Sequence, residues 1–145
     1  MKYLALILAL TPFAASPQSL TEQLAQRPSI SFADWRELTA GKTVVYQIDG
    51  ETYGFERYVA PGKVKIQLTD GTCIDGTWYM EDANFCFDWQ DETLNCFHHK
   101  KLGGEIYVIG LENGVETDDI QRVSRIANIP LSCGPALLSA LETSP

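Results

Sequence analysis

The chain has 145 residues, of which 45% are hydrophobic and 10% aromatic, enough for one domain with a real core but not for two. Eleven basic residues against nineteen acidic ones give a formal net charge of −8. Such an acidic surface excludes nucleic acid and anionic lipid as electrostatic partners, because both select for basic patches.

Residues 1–16 hold one basic residue, Lys2, an apolar run from Tyr3 to Leu10 and the small residues Ala14, Ala15 and Ser16. This is the pattern of a secretory signal peptide, and it is too short for a membrane span. Cleavage is expected near Ala15 or Ser16, and the protein is expected to be periplasmic or secreted. With no cysteine near the cut, a lipid anchor is not expected. The other reading is a buried N-terminal helix of a cytosolic protein. Removing residues 1–16 leaves 10 basic and 19 acidic residues, so the charge becomes −9.

Residues 17–41 read as a short helical segment. Ser19 with Glu22 forms a capping-box pattern, Leu20 and Leu24 give a short apolar stripe, and Pro28 ends it. Ser31 with Asp34 repeats the start signal. Phe32, Trp35 and Leu38, three apart, share one helical face, and Gly41 is placed as the stop. That face is expected to pack over a sheet or a barrel mouth; a partner-binding helix is the functional alternative.

From residue 42 to 126 the pattern becomes an antiparallel β-domain, with strands expected at 43–48, 53–59, 63–68, 72–80, 85–89, 93–99 and 105–111. Asp49-Gly50, Pro61-Gly62, Asp70-Gly71, Gly103-Gly104 and Asn113-Gly114 supply turn chemistry between them. Short strands with short sequential connections predict an all-β, up-and-down meander that closes into a small barrel or half-barrel. Residues 118–126, DDIQRVSRI, read as a closing eighth strand or as a short helix, the strand being favoured. Arg57 shares the parity of Tyr53, Phe55 and Val59, which would aim it inward, where it could meet an anionic ligand. A β-bulge that turns it outward, or a structural pair with an acid, are the alternatives, and these are favoured over the inward reading.

The most informative stretch is residues 72–99. Phe85, Phe87 and Trp89 alternate with Asn84, Cys86 and Asp88, the period of a strand with one buried face. Because a slip of one residue turns a strand over, the loop lengths that keep apolar residues on one face fix the register. They align Leu68 and Ile66 with Ile74 around a Thr69-Asp70-Gly71 loop, Met80 and Trp78 with Phe85 and Phe87, and Phe85 and Cys86 with Phe97 and Cys96. Opposed residues have Cα atoms about 4.5 to 5.5 Å apart, within reach of a disulfide. Cys86–Cys96 is therefore the first bridge expected, which leaves Cys73 for Cys133 and ties the tail, residues 127–145, across the outer sheet face. Four cysteines allow three pairings, and the sequence alone proves none of them.

Several constellations invite chemistry. Cys86, Cys96 and His98, with Asp88, share the outward face and could form a metal site if the thiols were reduced. Secretion favours a disulfide instead. Asp75 and Asp88 lie diagonally on neighbouring strands, close enough for a general acid and base. His99 has core-face parity and reads as packed rather than catalytic, and His98 as a surface residue. No GxSxG, HExxH, phosphate loop or CxxCH is present, so neither a cofactor nor a catalytic set is expected.

The order LTAGKTVVY, GTWYMEDANFCFDW, LNCFHHKKLGGEIYVI resembles the small secreted alphaproteobacterial proteins of domain-of-unknown-function family 995. The likeness rests on the "GKT" opening, a "GxW" strand (Gly76, Trp78), a "CFxW" strand (Cys86, Phe87, Trp89), a "CF" strand (Cys96, Phe97) and a following Gly-plus-aromatic strand. It spans roughly residues 38–112; Cys73, Cys133 and the tail lie outside it. The resemblance implies compartment and fold, with no activity to carry over. Lipocalin-like proteins also use a GxW, but in their first strand rather than the fourth. The expectation is a non-enzymatic, disulfide-stapled β-domain that binds a small apolar ligand, with Arg57, Trp78, Phe87 and Trp89 as interior contacts, or a protein partner.

Overall fold

Turn chemistry sets the architecture. In the computed structural model, which describes residues 17–133, Asp49 and Gly50 take φ of 51° and 85° and close a two-residue hairpin between β1 (Thr43–Ile48) and β2 (Glu51–Ala60). The expected leader at 1–16 and the apolar run after Pro135 lie outside the described residues. β3 (Lys63–Leu68), β4 (Cys73–Glu81), β5 (Asn84–Trp89), β6 (Leu94–Leu102), β7 (Glu105–Glu112) and β8 (Val115–Ala127) follow, each antiparallel to the one before. β8 then pairs with β1, so the eight strands form a closed barrel.

The central registers are those that the face-matching argument requires. Ile66 opposes Ile74, Trp78 opposes Phe87, Met80 opposes Phe85, Phe85 opposes Phe97 and Cys86 opposes Cys96. Register breaks interrupt the ladder, and those in β2, where a bulge was one reading of Arg57, and in β8 bear on the site. In β2 the pairing steps from Tyr46–Gly54 to Gln47–Thr52, leaving Tyr53 as the extra residue. The bulge changes the parity of the strand, so Gly54 and Glu56 are buried while Arg57 turns outward. The inward placement of Arg57 is thus overturned; its guanidinium donates to the carbonyls of Gly41 at 3.1 Å and Ile129 at 3.3 Å. In β8 the pairing steps from Val45–Arg125 to Tyr46–Val123, making Ser124 the extra residue. That bulge brings both Val123 and Ile126 to the core, and it explains an apolar spacing of three that imitates a helix.

Both helices start as the capping signals require. In α1 (Leu20–Ala25) the Ser19 and Glu22 side chains each accept from the other's backbone N–H. It lies outside the barrel against β6, where the Lys100 ammonium donates to the Leu24 carbonyl at 3.1 Å. α2 (Phe32–Thr39) inserts Trp35 into one end of the barrel, where it has no exposed surface. Its ring lies 4.4 Å from His99, 6.3 Å from Phe85 and 6.4 Å from Tyr58. Just before α2, the Ile30 N–H donates to the His99 carbonyl and Ser29 pairs with Lys100, covering a stretch of β6. The plug is thereby held by backbone as well as by packing.

Two disulfides join Cys86 to Cys96 and Cys73 to Cys133. The second runs the segment after β8 over the outer face of β2 and β3. There the Ile129 carbonyl also accepts from Thr43, and the Ser132 N–H donates to Gln67 at 2.9 Å. The outer wall carries Lys63, Lys65, Asp75, Asp88 and Arg122, and the inner wall is mainly apolar. This polarity is the reverse of a lipid-embedded barrel. No helix among the described residues is long and apolar enough to cross a membrane.

Candidate ligand-binding site

Small barrels can fill their interiors with their own side chains. Here the α2 end is filled and the opposite end is not. Tyr58, Trp78 and Phe85 join Trp35 in an aromatic layer, with Trp78 and Tyr58 centroids 4.9 Å apart. Beyond that layer the barrel holds a cavity of about 400 Å³. This lies within the roughly 300–1,000 Å³ range of small-molecule sites. Its wall is built by Ile48, Ile66, Leu68, Ile74, Phe87 and Trp89, and its mouth by Tyr53, Asp91, Thr93 and Asp119.

Two glycines create room for this arrangement. A methyl group on Gly76 would lie 2.6 Å from the Trp89 ring, so Trp89 folds across Gly76 only because no side chain stands there. A methyl on Gly110 would meet the Asp119 carboxylate at 3.1 Å, so this acid too lies against bare backbone. The glycine of the expected GxW strand therefore positions an aromatic wall of the cavity.

Polar groups collect at the inner end. Tyr46 donates to the Glu56 carboxylate at 2.9 Å, while Trp35 Nε1–H donates to the Tyr58 hydroxyl at 2.8 Å. Tyr58 thus stands between the plug and the buried acid. Burial raises the Glu56 pKa from 4.5 to about 7, against the opposing hydrogen bonds of Tyr58 and Tyr46. Burial, with the Glu56 charge second, pushes both tyrosine hydroxyls well above their ordinary value of 10.0. His99 forms part of the cavity floor, and both its ring nitrogens are buried without a hydrogen-bond partner. Burial first, and the neighbouring His98 second, lower its pKa from 6.5 to about 3, so the ring is neutral. An unpartnered buried polar atom costs about 1–3 kcal/mol, which makes His99 and the equally unpartnered Trp78 Nε1 notable.

Among the residues singled out from the sequence, Phe87 and Trp89 line the cavity. Trp78 belongs to the aromatic layer beneath it, and Arg57 lies on the opposite side of the wall. The metal alternative does not assemble. The Cys86 and Cys96 sulfurs are bonded to each other, and the His98 ring nitrogens lie 2.6 Å from Glu116 and 2.9 Å from Asn84. Lys100 also pairs with Glu116; burial disfavours that carboxylate, but the Lys100 and His98 hydrogen bonds outweigh it and hold its pKa below 4.5. Lys100, paired with Glu116, thus ties α1 to the outer wall, and His98 links β6 to Asn84 and Glu116. Asp75 is paired with Lys65 at 2.6 Å, and it meets Asp88 only along a shallow outer groove.

Sequence reasoning missed Tyr46, Glu56 and Asp119. The usable signal was in β2, where Gly54, Glu56 and Tyr58 alternate with Phe55, Arg57 and Val59. Apolar residues occur on both sides of that strand, so parity alone could not choose. No family model, curated protein or solved structure matches the chain.

Proposed function

We propose that this disulfide-stapled barrel is a non-enzymatic, periplasmic or secreted carrier or sensor whose interior binds a small, mainly apolar ligand bearing one polar end. The observation that carries the reading is the cavity of about 400 Å³, apolar along its walls and polar at its floor. The unpartnered His99 nitrogens and the Glu56–Tyr46 pair are suited to meet the polar end. The secretory leader, the two disulfides and the resemblance to a secreted family support the compartment.

The test is fluorescence of the neutral probe N-phenyl-1-naphthylamine with purified protein. Saturable enhancement at one probe per chain, abolished in Ile74→Trp, is expected, because the larger ring would occupy the cavity. Equal enhancement in Ile74→Trp, with that variant folded, would place the probe on the outer surface and reject the reading. Native mass spectrometry of protein exported to a bacterial periplasm gives an independent check, an organic adduct of one copy per chain being the expected mass shift.

A further inference from the structure

The charge around the cavity is one-sided. Glu56 stands at the floor, Asp91 and Asp119 stand at the mouth, and among the described residues no lysine or arginine lines the space between them. His99 is neutral and offers an unshared imidazole lone pair. The walls between floor and mouth present the faces and edges of Tyr46, Tyr53, Phe87, Trp89 and Phe97.

We infer that the cavity selects an organic cation, specifically a primary ammonium group on an aromatic or aliphatic body, with Glu56 as its counter-ion and His99 and Tyr46 as further oxygen and nitrogen contacts. The inference rests on the cavity-binding reading above and names the ligand class within it. Three features converge on this class. An ammonium has three N–H donors and no acceptor, which matches a floor of one carboxylate and one neutral imidazole. Aromatic rings attract cations by about 0.5–2 kcal/mol when water is excluded. Among the described residues an anion would meet three carboxylates and no positive partner, and a wholly apolar ligand would leave the acceptor nitrogen of His99 unpaired. The two mouth acids also raise the local concentration of cations before entry.

The groups facing Glu56 are Tyr46 from β1 and Tyr58 from β2, with His99 on β6, Asp119 on β8 and Asp91 in the loop after β5 lining the same space. Because the free carboxyl titrates near neutrality, bound ammonium must draw it into the ionised form. Affinity for an amine should therefore fall about tenfold per pH unit from 7 to 5, while affinity for a neutral analogue stays level.

The experiment measures binding by the full mature chain of three compounds of one shape: 1-naphthylmethylamine, 1-naphthalenemethanol and 1-naphthoic acid. At pH 8 the amine is expected to bind at least tenfold more tightly than the alcohol, with no binding of the acid, and Glu56→Gln is expected to bring amine and alcohol within about threefold. If Glu56→Gln does not fold, the pH series on the unaltered chain decides. Repeating the series in Asp91→Asn/Asp119→Asn separates the floor acid from the mouth acids. A slope that persists there supports Glu56, and a slope that vanishes there overturns its role. Equal binding of all three compounds would overturn the cation inference and leave the cavity reading intact. Binding of none would remove both.

Discussion

His99 is the residue on which the acid behaviour of this fold turns, and His99→Leu isolates it. In the folded chain its pKa is lowered from 6.5 to about 3, so the stability that depends on a neutral ring is fully present above pH 6.5 and is lost as pH falls toward 3. Glu56 has the opposite sign. Its pKa is raised from 4.5 to about 7, so its contribution is fully present below pH 4.5 and is lost as pH rises through 7. Going from pH 7.5 to 4.5, His99 costs about two pKa units, or about 3 kcal/mol, and Glu56 returns about two units, or about 3 kcal/mol. For these two groups the native chain is nearly flat across that range. His99→Leu removes the loss and keeps the gain, so its stability should rise on acidification by about 3 kcal/mol relative to the native chain. The assay is urea unfolding with both disulfides intact at pH 7.5, 5.5 and 4.5. The relative shift in midpoint should be about 1–2 M for a typical slope of about 1.5–2.5 kcal/mol/M. Acids that titrate in both chains cancel in the difference. Parallel pH curves for the two proteins would refute the reasoning, because they would mean that His99 gains its proton as readily folded as unfolded.

Trp35→Ala should cost about 3–5 kcal/mol by circular dichroism melts or urea unfolding, since it removes the plug of the filled end and leaves Tyr58 without its indole donor. Replacing Cys73 and Cys133 together by serine opens a 60-residue loop and should cost about 4 kcal/mol in the chain-entropy model. The Cys86 and Cys96 pair of substitutions, with a separation of 10, should cost about 2.7 kcal/mol, and unfolding midpoints would show whether the order holds. Gly76→Ala should push Trp89 off its seat and destabilise by about 1–3 kcal/mol. It should also shift tryptophan emission and weaken N-phenyl-1-naphthylamine binding, and an unchanged spectrum would contradict the close approach.

The parts of this molecule that were legible before the structure share one property: each was determined by local chemistry or by strict alternation. The segment from Val64 to Phe97 alternates cleanly between loops of defined turn type, so only one register kept Trp78, Phe85 and Phe87 together, and the Cys86–Cys96 pairing followed. The helix starts at Ser19 and Ser31 were equally local. Where a bulge broke the alternation, the sequence left alternatives open. Tyr53 in β2 reversed the parity that placed Arg57 inside, and Ser124 in β8 gave the last strand a spacing shared with a helix. These same breaks shape the binding site. The bulge at Tyr53 turns Glu56 into the interior, where Tyr46 from the neighbouring strand reaches it, and it leaves Tyr53 at the cavity mouth. A β2 that kept Tyr53 but paired it with Tyr46 in an unbroken ladder would have put Arg57 inside and Glu56 in solvent, giving a pocket for anions. Because Tyr53 is the extra residue, deleting it leaves Thr52 opposite Gln47 and Gly54 opposite Tyr46, so Glu56 should stay inside and the preference for 1-naphthylmethylamine over 1-naphthoic acid should persist. A switch toward 1-naphthoic acid in a folded deletion variant would show that the β1–β2 register slips and that Glu56 leaves the floor.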